Sequence, residues 1–123
     1  MNVLMVCMGN ICRSPTADGV LREYLRRAGI TDVTVDSAGT YGGHAGSPPD
    51  RRSQIVAEQR GYSLRNLRSR KLVANDLDDF DLILVMDKRN YADAQRILTG
   101  GFAEREEAFR KKVQLYLSFH PDT

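Results

Sequence analysis

The feature that most restricts the fold stands at the start of the chain. Val3, Leu4, Met5 and Val6 form an unbroken apolar run, the pattern of a strand buried on both faces of a parallel sheet. Cys7, Met8, Gly9, Asn10, Ile11, Cys12, Arg13, Ser14 and Pro15 follow directly. Ser14 is expected to cap a helix and Pro15 to occupy its first position. Apolar residues then recur with helical spacing at Ala17, Val20, Leu21, Tyr24, Leu25 and Ala28, until Gly29 stops the helix. A buried parallel strand leading into a helix implies a βαβ crossover, so further strands separated by helices are required along the chain.

The remaining sequence supplies them. Residues 33–38 read as a second strand, and 39–49, rich in Gly and Pro, as an exposed loop. A helix over 50–60 ends at Gly61; a strand over 81–86 leads into a helix over 88–98 closed by Gly100 and Gly101. After a short helix over 103–110, Val113, Leu115, Leu117 and Phe119 alternate with Lys112, Gln114, Tyr116 and Ser118, the period of a fourth strand. The expected architecture is α/β: an open, mostly parallel four-stranded sheet with helices on both faces, in one domain over residues 1–123. Ligands of such sheets bind beyond the carboxyl ends of the strands near the topological switch point, which puts the loop after the first strand in the right place for chemistry.

Composition excludes several partners. Eighteen Lys and Arg against sixteen Asp and Glu leave a net charge of +2, too small for non-specific nucleic-acid binding. The N-terminal apolar run is far shorter than the ~20 residues that span a bilayer and has no charged region before it, so no membrane insertion is expected. Cys7 and Cys12 are the only cysteines and share one loop, which is no framework for a stapled secreted fold. A cytoplasmic protein is expected, with thiols open to catalytic or redox use. His44 has no partner at metal-ligand spacing and reads as a surface residue, so neither metal nor cofactor is expected. Arg60, Arg65, Arg68, Arg70 and Lys71 read as a solvated basic face more readily than as an attractor of anionic substrates.

A Cys six positions before an Arg is by itself a weak signal. Its context is not: a strand end, Gly9 and Asn10 able to take left-handed dihedrals, and a helix N-terminus together make a concave array of backbone N–H groups, an anion site. Met8, Gly9, Asn10, Ile11, Cys12 and Arg13 are the candidate phosphate-binding residues. Cys7 is the candidate nucleophile, since a helix N-terminus and a neighbouring cation favour the thiolate form. The planar fork of Arg13 can grip two phosphoryl oxygens, and the Ser14 hydroxyl can donate to the Cys7 sulfur and help it leave.

On these residues the chain resembles the low-molecular-weight protein tyrosine phosphatases, whose signature is the same strand, Cys-x5-Arg-Ser-Pro loop and helix. The likeness continues through Asp36-Ser37-Ala38-Gly39-Thr40, His44, Pro48-Pro49-Asp50 and Val85-Met86-Asp87 with Asn90. The resemblance implies the Rossmann-like fold of phosphotyrosine phosphatase I. It also implies hydrolysis of phosphotyrosine monoesters on protein substrates through a phosphocysteine on Cys7, with inorganic phosphate or a similar oxyanion held in the loop. Arg13 is then the clamp, Ser14 the partner of the sulfur, Asn10 the residue that rigidifies the loop, and Ser37, Tyr41 and Asp87 supporting residues. Two points stay open: Cys12 either forms a reversible disulfide with Cys7, as the resemblance implies, or packs under the loop, and Tyr41 is either a wall for an aromatic ring or a plain loop tyrosine.

Two departures accompany the likeness. Leu67 stands where many members have a His, which removes one support for Asn10. The family carries its general acid in an Asp-Pro segment past the last strand, and that acid is expected to be missing from the 123 residues, with Asp50 and Asp87 as the conceivable stand-ins. The competing readings are a binding module that holds phosphotyrosine or phosphate without turnover, an arsenate reductase, and a protein arginine phosphatase. The intact Cys7 argues against the first, the lack of a third cysteine against the second, and Ile11 in place of Thr against the third.

Overall fold

The computed structural model describes residues 1–116. Strand β1 (Asn2–Cys7) is followed by helix α1 (Arg13–Arg27), strand β2 (Thr34–Gly39), helix α2 (Arg51–Gln59) and the single turn α3 (Asp76–Asp79). Strand β3 (Leu82–Val85), helices α4 (Lys88–Thr99) and α5 (Ala103–Lys112) and strand β4 (Val113–Leu115) complete the described chain. The four strands lie in the order β2-β1-β3-β4 and every pairing is parallel.

β1 is central because its apolar run serves both faces at once. Val3, Met5 and Cys7 point to one side, where Leu25 of α1 joins Val35, Leu84 and Met86. Leu4 and Val6 point to the other, where Ala94 and Leu98 of α4 and Phe109 of α5 pack on Ala38, Ile83 and Val85. Helices thus cover both faces, as the sequence implies. The chain leaves β1 towards β2 and returns on the opposite side for β3, so the C-terminal end of β1 is the switch point of the sheet.

The element ends follow their expected punctuation. α1 is followed by Gly29 at φ 71° and α4 is closed by Gly100 at φ 59°, left-handed positions where a Cβ would be strained. Ser14 corrects the expectation placed on it. α1 begins at Arg13 with Cys12 at the cap and no side-chain cap bond, because the Ser14 hydroxyl is engaged by other partners inside the first turn. The turn α3 has no counterpart in the sequence reading; four residues are too few for a period to show. Of the expected fourth strand, Val113 and Leu115 pack on one core while Gln114 is exposed, and Leu117 and Phe119 lie outside the described residues. No helix among the described residues is long and apolar enough to cross a membrane.

Arg70 departs from the reading of its stretch as a solvated face. Its guanidinium takes both carboxylate oxygens of the buried Asp76, at 3.0 and 3.1 Å, and reaches Asp36 of β2 at 3.2 Å. The segment carrying it is laid against the end of β2 by Gly39 N–H to Arg70 O and Leu72 N–H to Gly39 O. That clamp fixes residues 69–72 beside the loop after β1.

Candidate active site

β1 delivers Cys7 to the switch point with its side chain on the α1 face, 3% exposed. The chain must then turn sharply to start α1 six residues later, and Asn10 makes the turn at φ 56°, the only non-Gly residue at positive φ among those described. Asn tolerates that region better than other side chains. Three bonds hold it there: its N–H donates to Cys7 Sγ at 3.2 Å, its Nδ2 to Ser14 Oγ at 2.8 Å, and its Oδ1 accepts from Arg70 N at 2.9 Å.

The bonding of Ser14 orients its proton. Its hydroxyl accepts from Asn10 Nδ2, leaving the O–H free to donate to Cys7 Sγ 2.9 Å away. Two donors therefore converge on the sulfur. Asn10 and Ser14 are both buried, so each of these bonds would be costly to lose. Ser69 adds a further tie, donating its hydroxyl to Gly9 O at 2.9 Å.

Above the sulfur lies a concavity of about 160 Å³ walled by Cys7, Met8, Gly9, Ile11, Cys12, Arg13 and His44. Of the candidate phosphate-binding residues only Asn10 is absent from the wall, its side chain being buried beneath the loop. Arg13 rises from the first residue of α1, and its guanidinium donates to Asp87 Oδ2 at 3.0 Å. Asp87 caps α4, accepting from Asn90 N at 2.7 Å. That backbone N–H first, and Arg13 after it, hold the Asp87 carboxyl below its ordinary range.

Both conceivable stand-ins for the general acid are occupied as helix caps, Asp87 on α4 and Asp50 on α2 through Ser53 N at 3.1 Å. The Asp87 carboxylate, whose charged form these bonds favour, is poorly suited to give up a proton. Ser37 sits buried on β2, facing Asp18 of α1, where burial raises the Asp18 carboxyl and Ser37 helps to lower it. Tyr41 is tied to the loop by its main chain, N–H to Met8 O at 2.8 Å, while its ring is 55% exposed and meets His44 edge-on at 5.9 Å. His44 is exposed, as expected, yet it forms part of the wall: its ring would stand 3.2 Å from a Cβ at Gly9.

Sequence reasoning missed Ser69 and Arg70. The support that Leu67 cannot give Asn10 comes from the Arg70 main-chain N–H, which no side-chain pattern announces. Cys12 is exposed at the edge of the concavity and accepts from Ser53 Oγ at 3.2 Å; both cysteines are free thiols.

Comparison with known proteins identifies the family. The sequence profile described as low molecular weight phosphotyrosine protein phosphatase matches residues 2–123. The low molecular weight protein-tyrosine-phosphatase YfkJ of Bacillus subtilis is 41% identical over 91 residues, 73% of this chain and 58% of that protein. Its crystal structure superposes with a TM-score of 0.88 and 33% identity, covering 100% of this chain and 74% of that one. The human low molecular weight phosphotyrosine protein phosphatase is 36% identical over 121 residues, covering 98% of this chain and 73% of that protein. Vibrio vulnificus Wzb in complex with benzylphosphonate superposes with a TM-score of 0.80 at 32% identity, covering 96% and 74% of the two chains. This chain thus spans little more than half the length of the Bacillus relative, but the strand, loop and helix that build the site all lie within the shared part, and the chain belongs to the low molecular weight phosphotyrosine protein phosphatase family.

Proposed function

We propose that the chain hydrolyses phosphotyrosine monoesters on protein substrates through a covalent phosphocysteine. The observation that carries this reading is the buried Cys7 sulfur, met by the Ser14 hydroxyl and the Asn10 N–H at the floor of a concavity with Arg13 at its rim. The phosphoryl group sits over the sulfur, its oxygens facing the loop amides and the positive end of α1. Arg13 leaves Asp87 and takes two of those oxygens, following the charge as it spreads in the transition state.

In the first step the Cys7 thiolate attacks phosphorus, an S–P bond forms, the P–O bond to the tyrosine breaks, and the phenolate leaves with its electron pair, taking a proton from solvent or an acid. In the second, water adds to phosphorus, the S–P bond breaks, and the sulfur departs as thiolate stabilised by the Ser14 O–H and the Asn10 N–H. Inorganic phosphate is released. Two free thiols in one loop fit a reducing, cytoplasmic setting.

Cys7→Ser is expected to abolish hydrolysis of an aryl phosphate while phosphate binding survives; retention of the wild-type pH profile with measurable turnover would remove Cys7 as nucleophile. Arg13→Lys should lower kcat by about 10²-fold or more, because a point charge cannot replace the bidentate fork at the transition state. Comparing phosphotyrosyl with phosphoarginyl peptides settles the leaving group. Faster release from the latter would shift the assignment to the phosphoguanidino group, with a P–N bond broken in place of the P–O bond.

A further inference from the structure

A second groove opens from the same loop. It runs between α1 and α2 with a volume of about 650 Å³, beginning at Cys12 and ending at Tyr62. Val20 of α1 and Val56 of α2 supply its apolar lining, and Arg52 and Arg60 stand along it. Arg52 and Val56 of α2 and Arg60, the residue that closes it, follow at four-residue steps, so the three stand along one line.

No carboxylate among the described residues neutralises either arginine of this groove, although several arginines elsewhere in the fold are neutralised. Arg22, Arg27, Arg70 and Arg105 are each paired with a carboxylate. The side chains of Arg52 and Arg60 make no ion pair or hydrogen bond with any described residue. The one acid that lines the groove, Asp50, already holds the N-terminus of α2 through Ser53 N. Two uncompensated cations over an apolar strip thus lead away from the loop that carries the candidate nucleophile.

We propose that this groove receives the polypeptide flanking the phosphorylated residue, and that it selects substrates with acidic residues there; the inference rests on the phosphatase reading above. The lengths agree. Eight residues of helix separate Arg52 from Arg60, about 12 Å at 1.5 Å per residue. An extended peptide covers that distance in about four residues. Cys12 lies against Ser53, one residue from Arg52, so a substrate anchored by its phosphate in the loop enters the groove within a few residues of the phosphotyrosine. Arg52 then meets an acidic side chain near the phosphorylated position and Arg60 one about four residues further out, with Val20 and Val56 taking an apolar residue between them. A membrane or a nucleic acid fits less well, since the cations line a concave strip rather than a broad convex face.

The test uses the 123-residue chain and three phosphotyrosyl peptides of equal length whose flanks are acidic, neutral or basic, together with a small aryl phosphate that cannot reach the groove. The acidic peptide should show a kcat/KM above the neutral one by roughly three- to tenfold, the range of two exposed ion pairs, and the gap should shrink as salt is raised. The double variant Arg52→Ala/Arg60→Ala should erase that preference and leave aryl phosphate turnover unchanged. A wild-type chain that treats the three peptides alike, or a double variant that keeps the preference, overturns the proposal. Fluorescence anisotropy of the same labelled peptides on Cys7→Ser protein separates the two readings. An acidic preference in binding that disappears with Arg52→Ala/Arg60→Ala upholds the groove even where turnover fails, while turnover of the aryl phosphate without any such preference upholds the phosphatase reading alone.

Discussion

Asn10 combines two properties seldom asked of one side chain: a left-handed backbone, and an amide whose two ends are fixed by groups from different parts of the fold. Removing the amide leaves the partly buried Arg70 N–H unpaired and Ser14 with one donor fewer, a loss of about 1 to 3 kcal/mol in stability. Asn10→Ala should therefore unfold at lower urea and lose kcat, because the sulfur and its two donors are no longer held in register. Asn10→Gly tests the cause, since it keeps the backbone freedom and loses only the amide; a glycine variant with wild-type kcat would show that the turn alone matters. Cys12 presents a second question at this scale. It is exposed five residues from Cys7, so mild peroxide is expected to inactivate the protein reversibly by joining the two sulfurs, with thiol reductant restoring activity. Equal recovery in Cys12→Ala would leave Cys12 as packing.

Gly39, the last residue of β2, shows how an element meets the loop. A Cβ there would stand 2.6 Å from Met8 O and 3.1 Å from Asn10 N, both main-chain atoms that cannot step aside. Gly39→Ala is expected to cost about 1 to 3 kcal/mol and to lower kcat with it. At Gly43 the same substitution meets only the Tyr41 ring, at 2.2 to 2.3 Å, a side chain with room to swing into solvent. Gly43→Ala should thus leave urea stability nearly unchanged, and equal destabilisation of the two variants would contradict the contrast. Elements with a long period or a strong stop were legible from composition and spacing: the apolar run of β1, the helical repeat of α1, and the glycines after α1 and α4. The turn α3 was too short to show a period, and the docking of Ser69 and Arg70 depends on partners distant in sequence, Gly9 for the hydroxyl, Asp36 for the guanidinium and Asn10 for the backbone. Within the loop the residue types pointed to the concavity and to the bond between Ser14 and Cys7, but the capping role also expected of Ser14 fails, because its second partner, Asn10, meets it only once the turn is made.

Charge burial gives the whole molecule a pH dependence in acid. Asp18 is buried on the inner side of α1, and loss of solvent, partly countered by Arg22, raises its carboxyl above the ordinary 3.8. A raised folded value means that its contribution to stability is fully present below 3.8 and is lost as pH rises through the folded value. Asp87 has the opposite sign: its lowered carboxyl contributes above 3.8 and is lost as pH falls through its folded value. Urea unfolding of the wild type and Asp18→Asn from neutral to acid pH should show the difference moving in favour of the wild type as pH falls, and a pH-independent difference would rule out Asp18 as its source. The bond from Arg70 N to Asn10 also has a kinetic consequence. It joins residues 60 apart, a loop and a segment beside a sheet whose pairings are all parallel, and such non-local contacts close late. During refolding α1 and its neighbours can form while the anion cradle is still open, so helical circular dichroism should return before phosphate protects Cys7 from alkylation. The reactive loop would then act as its own checkpoint, acquiring its chemistry only after the chain from residue 7 to residue 70 has found its place.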